Sequence, residues 1–475
     1  MFGVDNEEFY SRIALIEGDE EITYKQLSDL SKDIVTDIPE RSLILILTGN
    51  TTASIAGYVG CINAKVVPLL LNSTIDRSLR DELVMKYRPS FIWTPQSKAE
   101  EFEGYGKIYE NRGYALLKSE SEEHYPLHED LCVLISTSGS TGSPKLVRQT
   151  YKNISSNTAS IIEYLEIDKD DRAITSLPMS YVYGLSVVNT HLQAGASLVL
   201  TDHECYMKGF WDTFYKNNVT SFAGVPFMYE MLDKLRTFKK DIPGLKVFTQ
   251  AGGRLNADLQ EKLTAYALEH GKKFIVMYGA SEATARMAYL PMKDASSKKG
   301  SMGIPIPGGR FEILDANDNK VETPETTGEL IYYGDNVTYG YAVCGEDLAK
   351  GDENHGRLAT GDMAKFDEDG FYYIVGRKKR FIKMFGNRIN LDDVDNLLKK
   401  RFDTLEIVSS GKDDFLDVYV VDGSISEDVC DYIFETMGIN KKRMAVYTIE
   451  KIPRNASGKI LFSELEQLKS QKTGD

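Results

Sequence analysis

Short apolar runs separated by helical stretches constrain the fold of this chain more than any other sequence feature. Such runs lie at residues 43–47, 66–71, 91–94 and 131–137. Strand-length runs that alternate with helices are typical of parallel sheets joined by crossover connections. The sequence therefore predicts an α/β fold whose large N-terminal part contains mixed sheets and helices.

One complete strand–helix–strand unit is recognisable in the middle of the chain. Residues 246–250 and 273–279 predict its two strands, and Asn256 and Gly271 suit the beginning and the end of the helix between them. In open α/β sheets, ligands bind at the carboxyl ends of the strands. The second strand therefore delivers residues 278–282 to a candidate ligand site.

From residue 310 onward the pattern changes to strands and turns rich in Gly and Asp. Residues 310–377 predict a β-rich subdomain, and the C-terminal residues combine strand and helix signals into a small α+β domain. The polar segment 376–380 is a credible linker. We therefore predict an N-terminal domain of residues 1–377 and a C-terminal domain of residues 378–475.

Charge and composition argue against several classes of protein. The chain has 56 Lys and Arg residues against 71 Asp and Glu residues, and the net charge of −15 argues against a nucleic-acid-binding surface. No run approaches the roughly 18–20 apolar residues of a membrane span, and the N-terminal residues lack the order of a signal peptide. The five cysteines are far apart, which suits a reducing compartment. We expect a cytoplasmic protein with no membrane span and no nucleic-acid partner.

The segment TSGSTGSPKLV, residues 137–147, is the strongest local signal. Its glycines allow the backbone to approach an anion closely, its hydroxyls can donate to phosphate oxygens, and Lys145 adds a cation. It differs from a Walker A loop because Gly142 is followed by Ser-Pro-Lys. A flexible surface loop is the alternative, and we favour a phosphate-binding loop.

This segment resembles the phosphate loop of the adenylate-forming superfamily, which includes acyl-CoA synthetases, nonribosomal peptide synthetase adenylation domains and firefly luciferase. Other segments match motifs of that superfamily in the same order: YGASEA at 278–283, TGD at 360–362, GRKKRFIKMFGNRINLDDVD at 376–395 and IPRNASGKI at 452–460. Ser281 replaces the usual Thr in the first of these. The resemblance covers nearly the whole chain. It implies that ATP and Mg²⁺ are used to convert a carboxylic acid to an acyl-adenylate, with release of pyrophosphate, before the acyl group passes to a thiol.

The resemblance also implies which residues carry the chemistry. Lys459 would bridge the substrate carboxylate and the α-phosphate, Glu282 would hold Mg²⁺, and Lys145 would add catalytic charge. Seen without the other motifs, Lys459 would be interpreted as a solvated surface lysine and Glu282 as a helix-start glutamate. Tyr278 would stack on adenine, and Asp362 would accept both ribose hydroxyls. The full set of implied nucleotide contacts is Thr137, Ser138, Gly139, Ser140, Thr141, Gly142, Lys145, Gly252, Gly253, Tyr278, Gly279, Ala280, Ser281, Asp362 and Arg377.

In this superfamily the small C-terminal domain is mobile and takes two orientations. Lys379 falls at the hinge position, so rotation there would bring Lys459 into the site for adenylation and withdraw it for thiol attack. The loop around Gly386 would then open a tunnel for the thiol. The acceptor would be CoA, or the phosphopantetheine of a separate acyl carrier protein.

The resemblance places the acyl pocket at the segment LPMSYVYGLS, residues 177–186. Many CoA ligases of the superfamily carry His where Tyr181 stands, and amino-acid-activating members carry Asp near Gly184. Without that carboxylate, the ammonium group of an α-amino acid would be buried unpaired, which is costly. We therefore disfavour an amino acid, and we expect Tyr181 and Tyr183 to suit a small, polar or aromatic acyl group.

Three alternatives stay open. Only a short segment follows Lys459, so we expect a stand-alone ligase that uses either CoA or a separate carrier protein. A catalytically inactive, nucleotide-binding regulatory protein is an alternative of another class, although the joint presence of all the charged motif residues argues against it. A serine hydrolase is disfavoured because Ala283 breaks the G-x-S-x-G pattern.

Overall fold

The computed structural model describes residues 2–136, 145–384, 387–412, 414–454 and 460–473. Its α-helices, in chain order, are α1 Tyr24–Val35, α2 Thr52–Asn63, α3 Arg77–Tyr87, α4 Tyr151–Leu165, α5 Val182–Ala194, α6 Lys208–Lys216, α7 Pro226–Lys234, α8 Ala257–Glu269, α9 Leu391–Phe402, α10 Ser426–Met437 and α11 Phe462–Thr473. Its β-strands are β1 Ile13–Glu17, β2 Glu20–Thr23, β3 Leu43–Thr48, β4 Val67–Asn72, β5 Phe91–Pro95, β6 Tyr105–Asn111, β7 Tyr114–Ser119, β8 Leu131–Ser136, β9 Leu146–Thr150, β10 Arg172–Ile174, β11 Ser197–Leu200, β12 Ser221–Gly224, β13 Val247–Gln250, β14 Lys273–Tyr278, β15 Ala288–Tyr289, β16 Ile304–Pro305, β17 Arg310–Leu314, β18 Gly328–Tyr333, β19 Tyr341–Ala342, β20 Arg357–Phe366, β21 Tyr372–Arg377, β22 Phe381–Met384, β23 Asn387–Asn390, β24 Ile407–Lys412, β25 Phe415–Val420 and β26 Met444–Thr448. Among the helices described here, none is long and apolar enough to cross a membrane.

The described residues divide into two compact units. The first unit contains residues 2–136, 145–311 and 332–358, and the second contains the described residues of 312–331 and 359–473. The boundary predicted between residues 377 and 378 marks where a mobile domain would begin. The division into compact units does not test that movement, so the boundary stays a prediction.

A nine-stranded sheet of the first unit contains the predicted strand–helix–strand unit. Its order is β16–β15–β14–β13–β12–β10–β11–β1–β2. The strands from β14 to β1 in that order run parallel, and β2, β15 and β16 are antiparallel to their neighbours. The side chain of Asn256 accepts hydrogen bonds from the backbone N–H groups of Asp258 and Leu259 and caps α8, as predicted. Gly271, beyond the end of α8, has φ of 61°. The unit β13–α8–β14 is therefore confirmed.

An eight-stranded sheet of the same unit has the order β19–β9–β8–β4–β3–β5–β7–β6. Its central strands β8, β4, β3 and β5 run parallel. One large apolar cluster contains residues of both sheets together with residues of α1, α2 and α5. Helix α2 is buried along residues 52–62, as expected of a helix that is apolar on every side. The core of the first unit therefore joins its two sheets.

The second unit is built from smaller sheets. Most residues of the four-stranded sheet β17–β18–β20–β21 belong to it, together with the hairpin β22–β23 and the three-stranded sheet β24–β25–β26. An apolar cluster that includes Val394, Ile407, Leu416, Val418 and Val429 packs α9 and α10 on these strands. These elements match the predicted α+β character of the C-terminal residues.

Candidate active site

The carboxyl ends of three neighbouring parallel strands position most of the predicted residues of the first unit. Strands β12, β13 and β14 pair in parallel register, so they end at one edge of the nine-stranded sheet. Gly252 and Gly253 follow β13, and residues 278–282 lie at the end of β14. This edge is where open α/β sheets bind ligands.

Tyr181, predicted for the acyl pocket, lies directly against Gly252, predicted for the nucleotide. Gly252 has φ of 86°, and a Cβ added there would be 2.7 Å from the Tyr181 hydroxyl oxygen. The carbonyl of Gly253 accepts a hydrogen bond of 2.9 Å from Nε2 of the buried Gln250. The structure thus brings together, at the end of β13, one residue predicted for the acyl pocket and one predicted for the nucleotide.

The segment after β14 turns back on itself. A turn of 3₁₀ helix, Ser281–Ala283, follows Gly279 and Ala280, and the backbone N–H of Met287 donates to the carbonyl of Tyr278 over 2.8 Å. The Tyr278 ring, half-buried, lies 6.4 Å from the ring of Phe311 between centroids. This turn contains the predicted metal ligand, Glu282, directly after the end of β14.

Glu282 contacts a residue that the sequence analysis did not identify. Its carboxylate accepts a hydrogen bond from the hydroxyl of Tyr341, and its backbone carbonyl accepts one of 2.9 Å from the N–H of Thr338. Tyr341 begins β19, which pairs with β9, and the Nζ of the exposed Lys145 lies 5.5 Å from the centroid of the Tyr341 ring. Tyr341 therefore connects the two predicted catalytic residues of the first unit. It lies 59 residues beyond Glu282 in the chain, so no local pattern could reveal the contact.

The donor set around Glu282 fits a magnesium ion shared with a substrate. The described residues contain no group of three or more His, Cys, Asp or Glu side chains that could hold a metal by themselves. Mg²⁺ is usually bound through one or two carboxylates together with substrate phosphates and water. The half-buried carboxylate of Glu282 meets that requirement, whereas an all-protein cage is absent from the described part of the chain.

The residues predicted for the acyl pocket lie at the start of α5. Tyr183 is buried, and its hydroxyl is 2.8 Å from the Oγ1 of Thr249 on β13. Burial raises the pKa of Tyr181 and of Tyr183, so both phenols are neutral. A Cβ added at Gly184 would lie 2.2 Å from the carbonyl oxygen of Pro178. Close packing alone therefore requires glycine at position 184.

A second residue missed by the sequence analysis, Arg286, lies beside these tyrosines. Its guanidinium carbon is 3.8 Å from the centroid of the Tyr183 ring, and its side chain is buried. Arg286 also lines a cavity beneath α5, which Ser186, Thr249 and Ala223 help to form. In the sequence, the only indication of this residue was that a charged arginine stands four positions after Glu282.

In the second unit the structure pairs two residues predicted to contact the nucleotide. Asp362 and Arg377 face each other on β20 and β21, and Nε of Arg377 is 2.7 Å from the buried carboxylate of Asp362. The backbone of Lys379 lies in the 3₁₀ turn Lys378–Arg380 that follows β21. The remaining predicted residues lie outside the described part of the chain: Thr137, Ser138, Gly139, Ser140, Thr141, Gly142, Gly386 and Lys459.

Known proteins are similar to this chain over most of its length. Residues 4–342 match a family described as AMP-binding enzyme. The chain is 29% identical over 345 residues to oxalate–CoA ligase of Saccharomyces cerevisiae, an alignment that covers 70% of this chain and 62% of the yeast protein. It is 26% identical over 473 residues to 2-succinylbenzoate–CoA ligase of Bacillus subtilis, covering 96% and 95% of the two chains.

Solved structures share the fold. The o-succinylbenzoate CoA synthetase of Bacillus subtilis, in complex with its acyl-adenylate intermediate, superposes with a TM-score of 0.80 at 23% identity and covers 96% of this chain and 95% of its own. An anthranilate CoA ligase in complex with anthranoyl-AMP gives a TM-score of 0.80 at 18% identity, over 100% and 98% of the two chains. The predicted α/β class with a large multi-sheet N-terminal part is confirmed.

Proposed function

Because this chain belongs to the family of AMP-binding enzymes, we propose that it is an ATP-dependent ligase that joins a carboxylic acid to the thiol of CoA. A carboxylate oxygen of the acid attacks the α-phosphorus of ATP, and the bond to pyrophosphate breaks. The thiolate of CoA then attacks the acyl carbon, and AMP leaves with the oxygen that the carboxylate supplied. CoA is favoured over a carrier protein because the similar proteins are named as CoA ligases.

One observation supports this proposal above the others: Glu282, Tyr341 and Lys145 adjoin the strand ends that carry Gly252 and Tyr278. Two anions must meet for adenylation, so the site needs cations and donors placed around them. Glu282 would hold Mg²⁺, which when bound supplies positive charge between phosphate oxygens. The hydroxyl of Tyr341 would keep the Glu282 carboxylate in one orientation.

The nucleotide would be held by groups with separate tasks. The open backbone at Gly252 and Gly253 would admit the adenine, and the ring of Tyr278 would stack on it. Asp362, whose carboxylate the Arg377 guanidinium already fixes, would accept the ribose hydroxyls. Arg377 would then be available to donate to the ribose or a phosphate.

A domain movement would separate the two half-reactions. We propose that residues 378–475 rotate about Lys379, so that Lys459 enters the site for adenylation and leaves it for thiol attack. The segment around Gly386 would line the thiol tunnel in the second orientation.

We propose the cytoplasm as the location of the protein. The cysteines form no disulfide bond, which suits a reducing compartment: Cys61, Cys132, Cys205, Cys344 and Cys430.

Acid-dependent exchange of labelled pyrophosphate into ATP tests the adenylation step. A screen over short-chain, hydroxy, aryl and fatty acids should find acids that support exchange only when Mg²⁺ is present. Glu282→Gln should abolish most of that exchange, whereas Glu269→Gln, an exposed residue at the far end of α8, should not. Exchange that needs no acid, or no exchange with any acid, would overturn the proposal.

The acceptor is tested in a second assay. With the acid found by the screen, thioester formation is measured with CoA and with phosphopantetheinylated carrier proteins. We expect thioester on CoA. If thioester forms only on a carrier protein, the carrier and not CoA is the acceptor, and the proposed adenylation step is unaffected.

A further inference from the structure

Arg286 is a buried cation without a counter-charge. Only 2% of its surface is exposed. No Asp or Glu carboxylate of the described residues lies within 4.0 Å of its guanidinium, and its Nε–H group is buried and finds no acceptor in that part of the chain. Natural proteins rarely bury a charge in this way, because desolvation is costly unless a partner compensates for it.

The side chains around Arg286 cannot supply that partner by ionising. Tyr183 covers one face of the guanidinium at 3.8 Å, and Tyr164 and Tyr181 are the other phenols that feel its charge. Burial raises the pKa of each phenol, to about 12 for Tyr164. All three therefore stay neutral at physiological pH. Arg286 has a cation–π contact with Tyr183 and a side-chain hydrogen bond with Tyr164, but neither neutral ring balances its charge, and its Nε–H group has no acceptor among the described residues.

The cavity that Arg286 lines contains one other charged side chain, and that one is already paired. Asp171 lies at the opposite ends of the strands, where Lys246 is 3.1 Å from its carboxylate and Thr220 donates a hydrogen bond to it. His191 also lines the cavity; its Nδ1 bonds the carbonyl of Val187, and burial lowers its pKa, so it is neutral. Within the described residues Arg286 is thus the only uncompensated charge of the cavity.

The rest of the wall is mostly hydrocarbon. Ile161 and Leu165 of α4, Val187 of α5, and Ala173 and Ala223 of the sheet form much of it. The small residues on β10 and β12 leave the space that larger side chains would fill. The cavity therefore suits a carbon skeleton that carries one group complementary to a guanidinium.

The chemistry of adenylation indicates which group of the substrate would bind the guanidinium of Arg286. The reacting carboxylate loses its charge when it becomes an acyl-adenylate. A buried guanidinium bound to that carboxylate would stabilise the reactant and lose its partner in the product, which would oppose the reaction. A permanent cation in the acyl cavity is instead suited to a second anion that keeps its charge through both half-reactions.

Resting on the ligase function proposed above, we propose that the acid activated by this enzyme is a dicarboxylic acid, whose second, unreactive carboxylate binds Arg286. The guanidinium offers planar, paired donors that match a carboxylate in two parallel hydrogen bonds. Tyr183 holds the guanidinium plane from one side. Arg286 is in this account a specificity-determining residue, and the charge of Lys459 and the carboxylate of Glu282 act on the other end of the substrate.

The test compares dicarboxylic acids with their own monomethyl esters, which keep one reactive carboxylate and the same skeleton. Pyrophosphate exchange should give the wild-type enzyme a kcat/KM for its best diacid on the order of 10²-fold or more above that for the ester. Arg286→Met, similar in volume, should bring the two values within a few-fold of each other. Arg286→Lys should retain part of the preference. Arg236→Met, at an exposed arginine of the same unit, should retain all of it.

A thermal unfolding measurement separates recognition from a merely structural role. The preferred diacid, without ATP, should raise the unfolding midpoint of the wild-type protein and leave that of Arg286→Met unchanged. Without any acid, the variant should be at least as stable as the wild type, because an uncompensated buried charge has been removed. A large loss of stability that Arg286→Lys restores would assign Arg286 to packing and overturn the proposal.

The outcomes also distinguish the two proposals from each other. If neither diacids nor monoacids support exchange, the ligase function fails. If monoacids are activated best and Arg286→Met leaves the diacid-to-ester ratio unchanged, the ligase function stands and the assignment of a dicarboxylic acid is wrong.

Discussion

Replacing Gly252 by Ala should destabilise the first compact unit by an amount that follows from its surroundings. Its φ of 86° costs an L-residue about 1–2 kcal/mol. The added Cβ would also lie 2.7 Å from the Tyr181 hydroxyl oxygen and 3.1 Å from a methyl carbon of Val225. Because overpacking of this kind costs about 1–3 kcal/mol, we expect the free energy of unfolding to fall by about 2–5 kcal/mol.

A double-mutant cycle with Tyr181→Phe isolates the contact with the hydroxyl. Without that oxygen, the nearest ring atom at position 181 is 3.9 Å from the added Cβ, an ordinary contact distance. Urea unfolding of the two single variants and the double variant should therefore give a coupling of about 1–2 kcal/mol. Gly253→Ala is the control, because its Cβ would approach Pro226 at 3.2 Å and not Tyr181. A coupling for Gly252 no larger than the one for Gly253 would refute the proposed adjacency of the acyl and nucleotide subsites.

The remaining predictions concern charge. Glu282→Gln should raise the Mg²⁺ concentration needed for half-maximal exchange by at least about tenfold, and an unchanged titration would remove Glu282 from the metal site. Lys459→Ala should slow adenylation by about 10² or more and spare thiol attack on supplied acyl-AMP; equal losses in both half-reactions would contradict the domain movement. Burial raises the pKa of Asp395 from 3.8 to about 6, although Arg380 is 2.7 Å away. The folded state therefore holds a proton that the unfolded chain has lost, so the free energy of unfolding should fall as the pH rises from about 4 to about 6. At about 1.4 kcal/mol per pH unit the fall is at most about 3 kcal/mol, and Asp395→Asn should remove it.

Local patterns predicted the elements that position the site. The strands and caps of β13–α8–β14 follow from neighbouring residues, so the placement of Gly252 and Tyr278 at the sheet edge could be anticipated. The pairing of Asp362 with Arg377 could not be anticipated, although both were predicted to contact the nucleotide, because it depends on the register of β20 against β21. The hinge role of Lys379 stays a prediction.

Contacts between distant segments could not be read from the sequence. Tyr341 reaches Glu282 only because β19 pairs with β9, a register that no motif specifies. Arg286 is identified as a cavity residue only by its burial against Tyr183, since an arginine side chain is ordinarily solvated. Gly184 is a different case. The sequence analysis interpreted this glycine as the absence of an acidic partner for the ammonium group of an amino acid. The structure adds that close packing against Pro178 requires glycine there, whatever the substrate.

Transfer of a labelled oxygen tests the central claim most directly. The acid is supplied with ¹⁸O in the reacting carboxylate, together with ATP, Mg²⁺ and CoA, and the products are analysed by mass spectrometry. Attack of the carboxylate on the α-phosphorus predicts one ¹⁸O atom in each AMP formed and none in pyrophosphate. AMP without ¹⁸O, or ADP and phosphate in place of AMP and pyrophosphate, would contradict the account.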